Sequence, residues 1–252
     1  YVAYNTPHSP MCVPDADWSR YAERPLRQQG PDPKKENPVF TRAALAMVEN
    51  LDYNVGRMLA AIDSANTSRE TIVVFFSDNG PNSLRWCGGM RGKKGSTDDG
   101  GTRSVCCIRY PGEITPGTRV PRITAAIDLL PTLAGLAGVP CEVPKPLDGI
   151  NLTAILKQDS HLKSEQKVLQ TKLTKRHIVA SQRGRVSIRT DRFRLDDKGK
   201  LYDMRSDIGQ IHDVMKEYPE EGARLRSIAD AWQHDVLDCM EHPDVERFPV
   251  GY

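Results

Sequence analysis

The sequence predicts an α/β fold: a mixed sheet flanked by helices, followed by a small antiparallel sheet covered by one packed helix. Three observations carry this. Thr71–Phe76 is a short, uncharged run of β-branched and aromatic residues, as expected of a strand buried on both faces. Phe40–Ala65 sets Ala44, Met47, Val48, Leu51, Val55, Met58, Leu59 and Ile62 on one face at helical spacing, and a helix feeding a strand argues for an α/β layer. From His177 onward, short alternating segments separated by Arg183-Gly184 and Lys198-Gly199 turns replace that pattern with an antiparallel one.

In order along the chain, Tyr1–Tyr4 reads as the end of a strand. Pro7 and Pro10 then enforce an extended loop that holds His8 between them. Residues 14–38, rich in proline and charge, read as a surface excursion. The helix over Phe40–Ala65 turns Arg42, Glu49, Asn50 and Arg57 away from its apolar face. The buried strand stops at Ser77-Asp78-Asn79-Gly80, and in α/β sheets ligand sites lie beyond the carboxyl ends of strands. Asp78 and Asn79 offer a carboxylate and a carbonyl oxygen, both hard ligands suited to calcium or magnesium. The same four residues also suit a plain turn.

Next comes a glycine-rich loop through Gly88, Gly89, Gly92, Gly95, Gly100 and Gly101, with Arg91, Lys93, Lys94 and Arg103 within or beside it. Close backbone approach combined with cations suits a phosphate or sulfate, although a basic loop can equally be a solvated surface. Val105–Arg109 is a short strand closed by Tyr110-Pro111-Gly112. Asp128 suits the N-cap of a second helix that has Pro131 in its first turn and Gly138 at its exit. The polar stretch 157–176 reads as a linker or exposed loop. It divides the chain into 1–156, an α/β part, and 157–252, a linker with a small α+β subdomain.

Beyond it, strands are expected at His177–Ala180, Arg185–Thr190, Phe193–Leu195 and Lys200–Tyr202. Val186 and Ile188 should face inward, with Arg185, Ser187 and Arg189 facing out. Pro219, Glu220 and Glu221 open a last helix whose apolar face is Leu225, Ile228, Ala229, Trp232 and Val236.

Composition narrows the function. At 252 residues one or two domains are expected. The formal net charge of +2 gives no general attraction to nucleic acid or to an acidic membrane, and no apolar run is long enough to span a bilayer. The six cysteines form no C-x-x-C pair that would suggest zinc. The opening Tyr1-Val2-Ala3-Tyr4 lacks a methionine and reads as mid-strand, so the chain is expected to be the carboxyl-terminal portion of a longer protein.

Phe75-Phe76-Ser77-Asp78-Asn79-Gly80 and Lys94-Gly95-Ser96-Thr97-Asp98-Asp99-Gly100-Gly101-Thr102-Arg103 together resemble the type I, formylglycine-dependent sulfatases of the alkaline phosphatase-like superfamily. That family's pattern here is S-D-N-G, then G-K-G-T, then E-G-G-x-R. Asp99 stands where the family has glutamate, and Ser104-Val105-Cys106-Cys107 replaces the usual proline after the arginine. The phrase around His8 resembles the Y-x-A-P-H-x-P segment. The segments beginning at Asp128, Leu147 and Leu201 resemble structural landmarks of the same family. Cys12-Val13-Pro14-Asp15-Ala16 has the proline of the nucleophile motif C-x-P-S-R but lacks its serine and arginine and follows the histidine segment, so Cys12 is not expected to be the nucleophile.

The resemblance implies an arylsulfatase-like hydrolysis of sulfate monoesters on a partial alkaline phosphatase-like sandwich. Lys94 and His8 would be catalytic and Asp78 and Asn79 metal ligands, with Lys93 the alternative to Lys94 and Arg103 bracing the loop. It implies Ca2+, with Mg2+ possible, and a formylglycine upstream of Tyr1, so this chain alone is expected to be inactive. The substrate would be a sulfated small molecule or sulfated carbohydrate, and the full-length parent periplasmic or secreted. Two alternatives stay open at this point: a phosphodiesterase or phosphonate hydrolase of the same superfamily, and a non-catalytic ligand-binding relative.

Overall fold

The computed structural model describes residues 1–28, 30, 32–157 and 160–238. They form two compact units: Tyr1–Gly89 with Arg103–Thr118, and Met90–Thr102 with the described residues from Arg119 on. No described helix is long and apolar enough to cross a membrane.

The first unit is built on α2 (Pro38–Ser64), preceded by the single turn α1 (Asp15–Trp18). Pro38 at the first helical position has its φ preset, and the Asn37 side chain accepts the Phe40 amide at 3.1 Å, so the helix starts where its unpaired donors are satisfied. Just ahead of it, the buried Glu36 accepts the Gly30 amide at 2.7 Å and the Thr41 hydroxyl at 2.8 Å. Thr41, Ala43, Ala44, Ala46, Met47 and Leu51 are buried. Of the expected apolar stripe, Ala44, Met47 and Leu51 are therefore buried, Val55, Leu59 and Ile62 half-buried, and Val48 and Met58 exposed.

The helix leads into β1 (Val73–Phe76), which pairs antiparallel with β2 (Cys106–Arg109) in the register Val73↔Arg109 to Phe76↔Cys106. Arg109 donates to Asp63 at 2.7 Å, tying β2 to the end of α2. The expectation that this strand is buried on both faces is corrected. Among the described residues it has one paired neighbour, so Val73 to Phe75 are half-buried and Phe76 is exposed.

The second unit begins with the glycine loop and the one-turn helix α3 (Asp99–Thr102). It continues through α4 (Leu129–Ala137), α5 (Thr153–Lys157) and α6 (Lys163–Lys175). A four-stranded sheet follows, of β3 (His177–Gln182), β4 (Arg185–Thr190), β5 (Phe193–Leu195) and β6 (Leu201–Asp203), antiparallel throughout and in sequence order. Last is α7 (Pro219–Trp232), which covers one face of that sheet. Ile188, Phe193, Leu195, Leu201 and Leu225 form the core between sheet and helix, with Ile228, Ala229 and Tyr218 packed against it.

Three expectations change here. Asp128 holds the N-cap position of α4, as expected, but its side chain does not bond the helix: it is buried at the end of a 3-10 turn (Ala126–Asp128), and its carboxylate accepts the amides of Ala125 and Ile150, each at 2.8 Å. The helix does leave through Gly138 in the left-handed region (φ 68°), as glycine allows. The stretch read as a linker contains α6, whose buried residues are Leu169 and Leu173, one helical turn apart. A helix that polar elsewhere gives too weak a periodic signal to be recognised. Ser187 and Arg189 do not face solvent: Ser187 is 1% exposed and Arg189 is half-buried, because the segment 97–99 covers that face of the sheet.

Candidate functional site

The loop that carries Lys93 and Lys94 is fixed from below at both shoulders. On the leading side, Arg91 donates from Nη2 to Asp98 Oδ1 at 2.9 Å and to Asp196 Oδ2 at 3.0 Å. From Nη1 it donates to the Tyr202 hydroxyl at 3.0 Å and the Gln210 carbonyl at 3.1 Å. Its guanidinium carbon lies 4.8 Å from the centre of the Tyr202 ring. Burial works against the charge on Arg91, but these bonds outweigh it and raise its pKa above the ordinary value.

On the trailing side, Asp99 is buried. It accepts Arg194 Nη1 at 2.6 Å on one oxygen and Arg189 Nε at 3.3 Å on the other. Arg194 is 1% exposed, and Nη2 donates to Ser187 Oγ at 2.9 Å, while that hydroxyl donates to the Thr97 carbonyl at 3.2 Å. Burial holds the Arg194 pKa below its ordinary value, and the charges of Asp99 and Asp98 offset only part of that. A charge this deep persists only when paired in this way.

Between the shoulders the tip is a tight arch. The Ser96 amide bonds the Lys93 carbonyl at 2.9 Å, and the Gly100 amide bonds the Arg91 carbonyl at 2.7 Å. Arg185, from β4, holds the Gly95 carbonyl at 2.8 Å. Gly101 must be glycine, since a Cβ there would run into the Lys93 and Ser96 carbonyl oxygens. The side chains of Lys93 and Lys94 are exposed, and the Lys94 ammonium has no hydrogen bond or ion pair among the described residues.

The other expected site residues lie in the first unit, and Lys94 lies in the second. His8 is exposed in its proline loop, where Nδ1 meets the Ser9 carbonyl at 2.7 Å. Asp78 and Asn79 follow β1 after Ser77, Asp78 exposed and Asn79 half-buried. The Asp78 carboxylate has no hydrogen bond or ion pair among the described residues, so it is free to ligate. Its chemistry and that of the Asn79 carbonyl suit a hard divalent cation, but two oxygens fall short of the about six to eight that calcium takes. Among the described residues no group of three or more His, Cys, Asp or Glu is arranged to hold a metal ion. Arg103 is exposed. Cys12 is an exposed free thiol.

Arg194 was the residue that sequence reasoning passed over, and Arg91 was noted only as a charge in the loop. Arg194 stands between Phe193 and Leu195 in a three-residue strand that is buried throughout. A charge in such a strand needs a buried partner, and that is the signal that could have found it.

Comparison with known proteins agrees with the motif reading. The sequence profile of the sulfatase family matches residues 1–139, and that of the N-sulphoglucosamine sulphohydrolase carboxyl-terminal region matches residues 97–229. Mouse steryl-sulfatase is 39% identical over 132 residues, 48% of this chain and 21% of its own length. The N-acetylglucosamine-6-O-sulfatase of Bacteroides thetaiotaomicron is 26% identical over 249 residues, 91% of this chain and 43% of its own. Among solved structures, Ps i-CgsB superposes with a TM-score of 0.72 at 26% identity, covering 92% of this chain and 49% of that one, and its complex with k-i-k-neocarrahexaose superposes with a TM-score of 0.73. The chain thus spans less than half the length of these curated relatives. A family profile over more than half of its residues, on a matching α/β fold, establishes that the chain belongs to the sulfatase family.

Proposed function

We propose that this chain is the carboxyl-terminal portion of a sulfuric ester hydrolase, cleaving the sulfate monoester of a small molecule or, more specifically, of a carbohydrate. The observation that carries the reading is the ordered pair of elements inside the family match: Asp78-Asn79-Gly80 at the end of β1, then Lys94-Gly95 on a loop braced from both sides. The carbohydrate preference rests on the relative named for N-acetylglucosamine-6-O-sulfate and on the relative solved with a neocarrahexaose.

In the reaction, the ester S–O bond breaks, the oxygen of water ends on sulfur, and the leaving alkoxide takes a proton. Lys94 stabilises the negative charge that builds on the sulfate or leaving oxygen as that bond breaks. His8 hydrogen-bonds the sulfate or delivers the proton to the leaving oxygen. Asp78 and Asn79 supply two oxygen ligands to a divalent cation, calcium before magnesium, with further ligands and the formylglycine nucleophile carried outside these 252 residues. Such a cation, when bound, neutralises charge on the sulfate and makes the attacking group more acidic.

The test is a comparison of 4-nitrophenyl sulfate, 4-nitrophenyl phosphate and bis(4-nitrophenyl) phosphate as substrates of the full-length protein. The reading predicts that the sulfate has the highest kcat/KM. A preference for either phosphate ester assigns the protein to the phosphatase or phosphodiesterase side of the same superfold.

A further inference from the structure

We propose that Asp99 and Arg194 are positioning residues that hold the Lys94 ammonium where it meets the leaving oxygen; this rests on the reading of Lys94 given above. The Lys94 side chain has no partner of its own among the described residues, so its place is set by its backbone. That backbone is the tip of an arch whose trailing shoulder is one buried carboxylate, Asp99, clamped by Arg194 at 2.6 Å and Arg189 at 3.3 Å. The clamp reaches the tip through two short paths. One is the Thr97 carbonyl, held by Ser187, which Arg194 itself holds. The other is Gly101, two residues past Asp99, whose Cα backs directly onto the Lys93 carbonyl.

Asp99 is one methylene shorter than the glutamate of the family pattern, so its partner has to reach further toward the loop backbone. Arg194, 1% exposed within a buried strand, supplies that reach. Plain packing does not need this arrangement. A buried ion pair contributes little net stability over an apolar pair of similar shape, whereas its charge-assisted hydrogen bond is directional and fixes geometry. A displacement of about 1 Å at a group acting in the transition state can cost about 100-fold in rate.

The experiment compares Lys94→Ala, Asp99→Asn, Asp99→Glu and the double variant Lys94→Ala/Asp99→Asn in the full-length protein. The readouts are kcat and KM over a series of aryl sulfates of graded leaving-group acidity, with thermal midpoints measured in parallel. The expected result is that Asp99→Asn lowers kcat about 10- to 100-fold with KM changed less than about threefold. It should also steepen the dependence of kcat on leaving-group acidity in the same sense as Lys94→Ala. The double variant should lose no more than Lys94→Ala alone, and Asp99→Glu should recover most of the rate.

An Asp99→Asn variant with a lowered thermal midpoint but an unchanged slope and kcat overturns the proposal and makes the pair structural. Losses that multiply in the double variant overturn it as well. If Lys94→Ala is itself without effect, the reading of Lys94 fails, and the positioning role with it. Loss in Lys94→Ala without loss in Asp99→Asn removes the positioning role alone.

Discussion

Arg176 donates to both carboxylate oxygens of Asp128, Nη1 to Oδ2 and Nη2 to Oδ1, each at 2.7 Å, with both residues buried. The same carboxylate also accepts the amides of Ala125 and Ile150. One side chain thereby joins the turn before α4, the segment at residue 150 and the end of α6. Removing one member leaves the other charged, buried and unpaired. Arg176→Ala should therefore cost about 3–5 kcal/mol of unfolding free energy in urea denaturation. A loss below about 1 kcal/mol would show that the pair is solvated.

Gly149 packs against the turn before α4 so closely that a Cβ would overlap the Ile127 carbonyl oxygen. Gly149→Ala should destabilise by roughly 3 kcal/mol or more, at the upper end of overpacking effects, read from the same denaturation curves. Gly117→Ala has open space at its Cβ, and its cost should come only from the strain of a positive φ, about 1 kcal/mol.

Leu225 is fully buried on α7 against Ile188, Phe193, Leu195 and Leu201. Leu225→Ala should cost about 2–5 kcal/mol. Ile211→Ala, at a position 76% exposed, should stay within about 0.5 kcal/mol. Equal effects would mean that the sheet–helix core is misassigned.

Asp196 is buried, which alone would raise its pKa. Bonds from the Lys200 and Lys198 amides and from Arg91 outweigh that and hold it below the usual carboxylate value. A depressed folded-state pKa contributes stability that is present above the unfolded value and lost as pH falls through the folded one. Stability should therefore drop on the acid side of about pH 4, and Asp196→Asn should flatten that limb while lowering stability at neutral pH. Denaturant midpoints measured from pH 7 down to pH 2 check it; an unchanged acid limb contradicts it.

The fold was legible wherever the signal was local. Helix α2 could be read from its periodicity, β4 from its alternation and β5 from the turns around it, but the cap of α2 at Asn37 lay inside the stretch read as a surface excursion. What could not be read depends on partners distant in sequence. The alternation of Arg185–Thr190 correctly turned Ile188 inward, but it could not show that segment 97–99 would cover the opposite face and bury Ser187. Asp99 stood in the sequence as a departure from the family glutamate. Its partner Arg194 lies 95 positions away and has no motif. Helix α6 escaped because its fully buried positions are two leucines, Leu169 and Leu173, too few for a periodic stripe. In the site, the loop's glycines and the charge of Arg91 stood in the sequence, while the bracing role of Arg91 and the partner Arg194 followed only from the fold.

A metal role for Asp78 and Asn79, as proposed above, predicts an effect of chelation. Chelation should abolish hydrolysis by the full-length protein, and calcium should restore it at lower concentration than magnesium. Asp78→Asn should raise the calcium concentration needed by about 10- to 100-fold, a size typical of disturbing a metal's immediate surroundings. Full activity in excess chelator, or an Asp78→Asn variant that titrates like the parent, would remove the metal from this corner.

The central claim is that the braced loop presents the Lys94 ammonium, and not its neighbour, to a sulfate ester. The measurement that tests it most directly is kcat for 4-nitrophenyl sulfate in the full-length protein and in its Lys94→Ala and Lys93→Ala variants. Loss of at least about 100-fold is expected for Lys94→Ala, the scale of removing one transition-state charge partner, with Lys93→Ala within about threefold of the parent. A Lys94→Ala protein that turns over at the parental rate, or one that loses less than Lys93→Ala, contradicts the account.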